Sequence, residues 1–229
     1  SLLSGTTVYG SGDIVTMTLG TTGIAVNDPV SIVVSGITNP AYSKVTSAYA
    51  IEAQDVSSSV MASGTASANS ISAGSISPII THASLVAGAT SNTTSAFTSA
   101  NPVAVGGKLK VTFPTGFDIS LAAYSSGNRG TTAAVSGQAL TLTLGTAVTS
   151  GGSVSIVVSG IKNPTVSGSA GIYAVETDNA ANITIDSGTA LANTITAGAL
   201  TPTIIHASPV VAPTTENTTA TLNIGDGLQ

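Results

Sequence analysis

Through much of the chain, apolar and polar residues alternate with a period of two. In Lys108–Phe113 the apolar positions Leu109, Val111 and Phe113 fall on one face, and Lys108, Lys110 and Thr112 on the other. Ala139–Leu144 repeats the pattern, with Leu140, Leu142 and Leu144 inward and Thr141 and Thr143 outward. Such alternation predicts half-buried strands. Val154–Ser159 is a β-branched apolar run and is expected to be a central strand. Ile172–Glu176 and Ile183–Asp186 add two more strands, and Pro78–Ser84 and Thr93–Phe97 read as opening strands. No stretch carries the 3.6-residue stripe of an amphipathic helix. Gly106-Gly107, Pro114-Thr-Gly116, Gly127-Asn-Arg-Gly130, Gly151-Gly152 and Asn163-Pro164 punctuate the strands as turns. The prediction is an all-β, immunoglobulin-like β-sandwich, without the Cys and Trp residues of an antibody core.

The pattern is duplicated. Val30-Ser-Ile-Val-Val-Ser-Gly-Ile-Thr-Asn-Pro40 recurs 124 residues later as Val154-Ser-Ile-Val-Val-Ser-Gly-Ile-Lys-Asn-Pro164. The match continues without a gap from Val30–Val86 to Val154–Val210, with roughly half of the positions identical. A unit of 124 residues is the size of a domain, not of a short solenoid repeat. One complete copy runs from about Ser75 to Gly198. Ser1–Gly74 matches the later part of a unit and lacks its opening strands. Ala199–Gln229 matches the opening strands of a further unit: Thr203–Ser208 corresponds to Ile79–Ser84, and Asn217-Thr-Thr-Ala to Asn92-Thr-Thr-Ser.

An incomplete sandwich exposes core side chains and strand edges. The two ends therefore suggest that the tail of one subunit completes the head of the next by donor-strand complementation. Within the tail, Ala220, Leu222 and Ile224 fall on one face of a period-two segment, and Ile204 lies in the preceding strand. These four residues are the candidate assembly contacts. The fit is incomplete, because head and tail together lack the Lys108–Phe113 strand. A second reading makes the chain a stretch of a longer array of the same units.

Composition narrows the function. Only 7% of residues are charged and 3% aromatic, yet 42% are hydrophobic, which supports a core and argues against disorder. The absence of cysteine excludes disulfides, thiol catalysis and Cys-based zinc sites. Net charge is −5, and five Lys and Arg spread along the chain form no basic patch, so nucleic acid is not expected as a partner. No apolar run reaches the ~20 residues of a membrane span.

The blocks Gly106–Phe117, Leu140–Gly145, Val154–Pro164 and Tyr173–Thr177 resemble the tandem Ig-like repeats of large secreted microbial surface proteins. That resemblance implies an extracellular scaffold, adhesin or filament.

Chemistry-bearing residues are few. His82 and His206 occupy the same position of the repeat, with no further ligand nearby in sequence, and read as structural histidines. Glu52 with Asp55, and Glu176 with Asp178 and Asp186, could offer oxygen ligands to calcium. However, Asp178 corresponds to Gln54 and Asp186 to Ala62, so solvated strand ends are the better reading. No Gly-x-Ser-x-Gly elbow in a strand–turn–helix context suggests a hydrolase, and no cofactor is expected. Asn92, Asn182 and Asn217 head N-glycosylation sequons, which would add surface carbohydrate if used. The expected function is an extracellular structural protein that assembles with itself, head to tail. The alternatives are a repetitive adhesin stalk, or a carbohydrate- or ice-binding module using Thr-rich faces.

Overall fold

The computed structural model describes residues 7–20, 24–206 and 218–224. The chain is all-β and divides into two compact units, Ser1–Asn39 and Pro40–Gln229. In the first unit β1 (Thr7–Ser11) and β2 (Ile14–Thr18) form an antiparallel hairpin. Its turn contains Gly12, whose φ of 59 suits a tight connection.

The second unit begins with β3 (Lys44–Val45), β4 (Tyr49–Gln54), β5 (Val60–Ala66) and β6 (Ser70–Ile71). Here β4 pairs with β5 and β3 with β6. The central sandwich follows: β7 (Gly74–Ser75), β8 (Ile79–His82), β9 (Thr90–Thr98), β10 (Lys108–Thr112), β11 (Ala123–Gly127), β12 (Gly130–Ser136), β13 (Ala139–Leu144), β14 (Ser153–Lys162), β15 (Gly168–Ser169), β16 (Tyr173–Asp178), β17 (Thr184–Ala190) and β18 (Thr194–Ile195). Last come β19 (Leu200–His206) and β20 (Thr218–Ile224), an antiparallel hairpin.

Two sheets build the sandwich. One runs β12-β13-β10-β16-β17-β7 and the other β11-β14-β9-β8. Alternation explains what each strand buries. Leu140, Leu142 and Leu144 of β13 and Leu109 and Val111 of β10 face inward and are buried, while their lysine and threonine neighbours are half-buried. From the other sheet Val154, Ile156, Val158 and Ile161 of β14 join the same core cluster, together with Phe97 and Ile80. As expected, Val154–Ser159 is part of a central strand, with β11 on one side and β9 on the other.

Residues 40–74, expected to belong with the head, lie in the same unit as the sandwich. The reason is local docking. Ser43 donates through both its backbone N–H and its hydroxyl to the Thr184 carbonyl, and Tyr42 packs against the core. No helix among the described residues is long and apolar enough to cross a membrane.

Candidate assembly site

The head hairpins reproduce those of the complete copy pair by pair. Tyr49 lies opposite Ala66, Ile51 opposite Gly64 and Ala53 opposite Ala62, as Tyr173 lies opposite Ala190, Val175 opposite Gly188 and Thr177 opposite Asp186. The register shift near the turn falls at the same place in both. What differs is the cover. Val175 is fully buried, whereas Ile51 is 63% exposed. The twin of β14 differs more. Ile156 is 1% exposed, but Ile32 is 50% exposed, and Val30–Asn39 is in no strand.

On the open face of β4 and β5 a shallow apolar groove of about 310 Å³ is lined by Ile51, Ala53, Ala62, Gly64 and Ala66 among others. In the complete copy that face is covered by the opening segment. The approach there is close: a Cβ on Gly188 would come within 2.1 Å of the Ile76 carbonyl oxygen. At the matching Gly64 nothing lies within 4 Å.

The tail hairpin has the register of the opening strands. His206 pairs with Thr218, Ile205 with Thr219, Ile204 with Ala220 and Thr203 with Thr221. In the complete copy His82 pairs with Thr93, Thr81 with Thr94, Ile80 with Ser95 and Ile79 with Ala96. There β9 also pairs with β14, whereas β19 and β20 form a two-stranded sheet. Of the assembly candidates, Ile204 is 63% exposed and Ala220 is also exposed. Leu222 and Ile224 lie opposite Pro202 and Leu200.

Two polar clusters hold the opening segment of the complete copy against β16 and β17. Asp186, fully buried, accepts hydrogen bonds from Ser99 Oγ (2.9 Å), Ala100 N (3.1 Å), Asn101 N (3.2 Å) and Asn101 Nδ2 (2.8 Å). Its own backbone N–H donates to Thr177 Oγ1 at 3.1 Å. The second cluster centres on His82, whose Nδ1 is 2.7 Å from Thr93 Oγ1 and whose Nε2 is 2.8 Å from the Tyr173 hydroxyl. A neutral ring donates through one nitrogen and accepts through the other. The ring stacks on Phe117 at 5.1 Å. Burial pushes its pKa down to about 4, and burial raises that of Tyr173. The side chain of His206 lies outside what the structure describes.

The carboxylates weighed for calcium do not converge. Among the described residues no three His, Asp or Glu side chains form a metal-sized group. Asp55 caps its own turn by accepting from Ser57 N and Ser59 N. Glu176 pairs with Lys110 at 3.0 Å. Burial raises the Asp178 pKa, and one of its oxygens has no partner. Of the sequons, Asn92 is exposed on β9. Asn182 is exposed in the β16–β17 turn with a φ of 61, and its Oδ1 accepts from Lys108 Nζ. Asn217 lies outside the described residues.

The groove residues escape sequence reading because alanine and glycine carry no signal of their own. Ala53 and Ala62 stand out only when set beside Thr177 and Asp186, and Gly64 not even then, since Gly188 is the same residue.

No family model matches the chain, and no curated protein matches it. Among solved structures it is similar to BslA, described as a bacterial hydrophobin, at 16% identity and a TM-score of 0.40, over 56% of this chain and 98% of that one. A likeness this slight carries no weight for function.

Proposed function

We propose that this protein is an extracellular structural subunit whose copies join head to tail, the tail hairpin of one completing the open head of the next. One observation carries the reading. The same sequence is a buried central strand in one place and exposed, strandless chain in another, while a hairpin with the register of that strand's usual partner stands as a two-stranded sheet. Pairing Val30–Thr38 of one copy with β20 of another would bury Ile32, Val34 and their neighbours. Each fully buried aliphatic side chain contributes about 1.5–3 kcal/mol, and the main-chain ladder adds register. The contact joins two different surfaces, so it propagates into an open filament unless the rotation closes a ring.

Removal of residues 199–229 tests this. The truncated chain should keep the central sandwich but lose polymerisation, as seen by negative-stain microscopy. A peptide of residues 199–229 added to intact subunits should cap heads and block growth. Filaments that persist after truncation would show that the tail is not the donor, and the longer-array reading would take its place. Asn92 and Asn182 are exposed and could carry N-linked sugar; an intact mass above 22.1 kDa for native protein would reveal it.

A further inference from the structure

The head-to-tail junction can be resolved to individual contacts, all of which rest on the filament proposal. In the complete copy both polar clusters bridge the opening segment and the β16–β17 hairpin. Moved onto the two ends of the chain, they meet opposite fates. In the first, Asp186 becomes Ala62 and Thr177 becomes Ala53 on the head side, while Ser99 becomes Ile224 on the tail side. Asn101 becomes Asp226, outside the described residues. The buried carboxylate has gone, and its hydroxyl donor has been replaced by an aliphatic side chain. In the second cluster every member is kept: His82 as His206, Thr93 as Thr218, Tyr173 as Tyr49.

A buried polar group left without its partner is costly, so the two sides of a bridging cluster must change together or stay together. They do so at the Ser99–Asp186 contact and throughout the histidine cluster, although the two sides lie in different parts of the chain; at the Asn101 position the tail carries Asp226 instead. A third change fits. Ser95 Oγ is buried without a hydrogen-bond partner in the complete copy, and the tail has Ala220 at that position.

We infer that Ile224 of one copy fills the groove over Ala53 and Ala62 of a second copy, and that His206 hydrogen-bonds Tyr49 across the same junction, in the register of the complete unit. The groove's apolar lining suits an aliphatic occupant. Tyr49 is 45% exposed in the free head; its hydroxyl oxygen accepts from Thr46 and Asn69 there, which leaves its own O–H to donate to a partner's histidine nitrogen. The junction therefore has aliphatic packing in place of the Ser99–Asp186 hydrogen bond at Ala62 and keeps the full histidine cluster. That difference selects a tail and rejects the opening segment of a complete unit, whose Ser99 would meet no acceptor at Ala62.

The test uses the full chain. Ala62 is exposed in β5, so Ala62→Asp should leave the thermal transition of the subunit unchanged. It should raise the critical concentration for assembly by about tenfold or more, because a carboxylate would be buried without donors. Combining Ala62→Asp with Ile224→Ser and Asp226→Asn restores the carboxylate and its side-chain donors, and assembly should return to within a few-fold of the wild type. Tyr49→Phe should weaken assembly by several-fold. A chain carrying Ala62→Cys and Ile224→Cys, with no native thiol to compete, should give a ladder of oligomers with a short bis-maleimide. Wild-type assembly by Ala62→Asp, or no recovery in the triple variant, would overturn the inferred register. A cross-linked monomer alone would show that the tail closes on its own head, overturning the second-copy partner. Wild-type protein that stays monomeric at all concentrations would instead remove the filament proposal itself.

Discussion

Val30–Pro40 and Val154–Pro164 differ at one residue, Thr38 against Lys162, yet only one of them is a strand. The hairpins around them behave otherwise. The β4–β5 pair repeats β16–β17, and β1–β2 repeats β12–β13 with Thr7 opposite Thr18 as Thr132 lies opposite Thr143. A hairpin joins neighbours in sequence, so its register is set by its own turn and pattern. A central strand has no such local support. Among the described residues no strand pairs with it as β9 and β11 pair with β14, and the same β-branched run enters no ladder. Local pairing in this protein is written into each hairpin, whereas β14 becomes a central strand through partners distant in sequence.

The largest expected effect separates the twin segments. Ile156→Asp should destabilise the full chain by at least about 4 kcal/mol, because it buries an unpaired charge in the core. Ile32→Asp should shift stability by no more than about 0.5 kcal/mol, as at other exposed positions. Calorimetry on both variants decides it, and equal losses would erase the distinction.

Asp186→Ala, which imports the head residue into the complete copy, removes the shared acceptor of four donors. A loss of about 3 kcal/mol is expected in denaturant unfolding. A loss below about 1 kcal/mol would show that water replaces the carboxylate and that the cluster matters little.

His82 gives a pH dependence on the order of 3 kcal/mol. Its ring binds a proton near pH 6.5 when unfolded and only near 4 when folded. The unfolded state therefore binds more protons between those values, and stability that is complete above about pH 6.5 declines as pH falls toward 4. In His82→Gln that part of the pH profile should flatten. The smallest effect is expected at Lys110→Ala. The Lys110–Glu176 pair is more than a third exposed on each side, and its loss should cost about 0.5 kcal/mol.

The strands legible in sequence are those whose apolar residues alternate: β10, β13, β14 and β16 all lie where the pattern puts them. The pattern ends too early within β17, at Asp186, since the strand continues to Ala190 through Ser187, Gly188 and Thr189, which carry no apolar signal. It leaves β11 and β12 unmarked for the same reason. Their Ala-, Ser- and Thr-rich segments face mostly outward, and pairing with β14 and β13 makes them strands. At the candidate site Ile204 and Ala220 can be named from alternation alone. The groove that would receive the tail cannot, because its defining feature is the absence of larger side chains.

That absence has a consequence for Gly64. A glycine inside a strand costs roughly 0.5–1 kcal/mol relative to alanine. At Gly188 the cost is offset, since the Ile76 carbonyl occupies the space a methyl group would need. At Gly64 the space is open, and the free subunit bears the cost without return. Gly64→Ala should therefore make the isolated protein slightly more stable while closing the seat that the backbone at Leu200 of an incoming copy would take. Such a lesion would show no defect in folding, solubility or melting temperature. If copies join as proposed, it would act as a chain terminator, harmless to the monomer and costly only to growth.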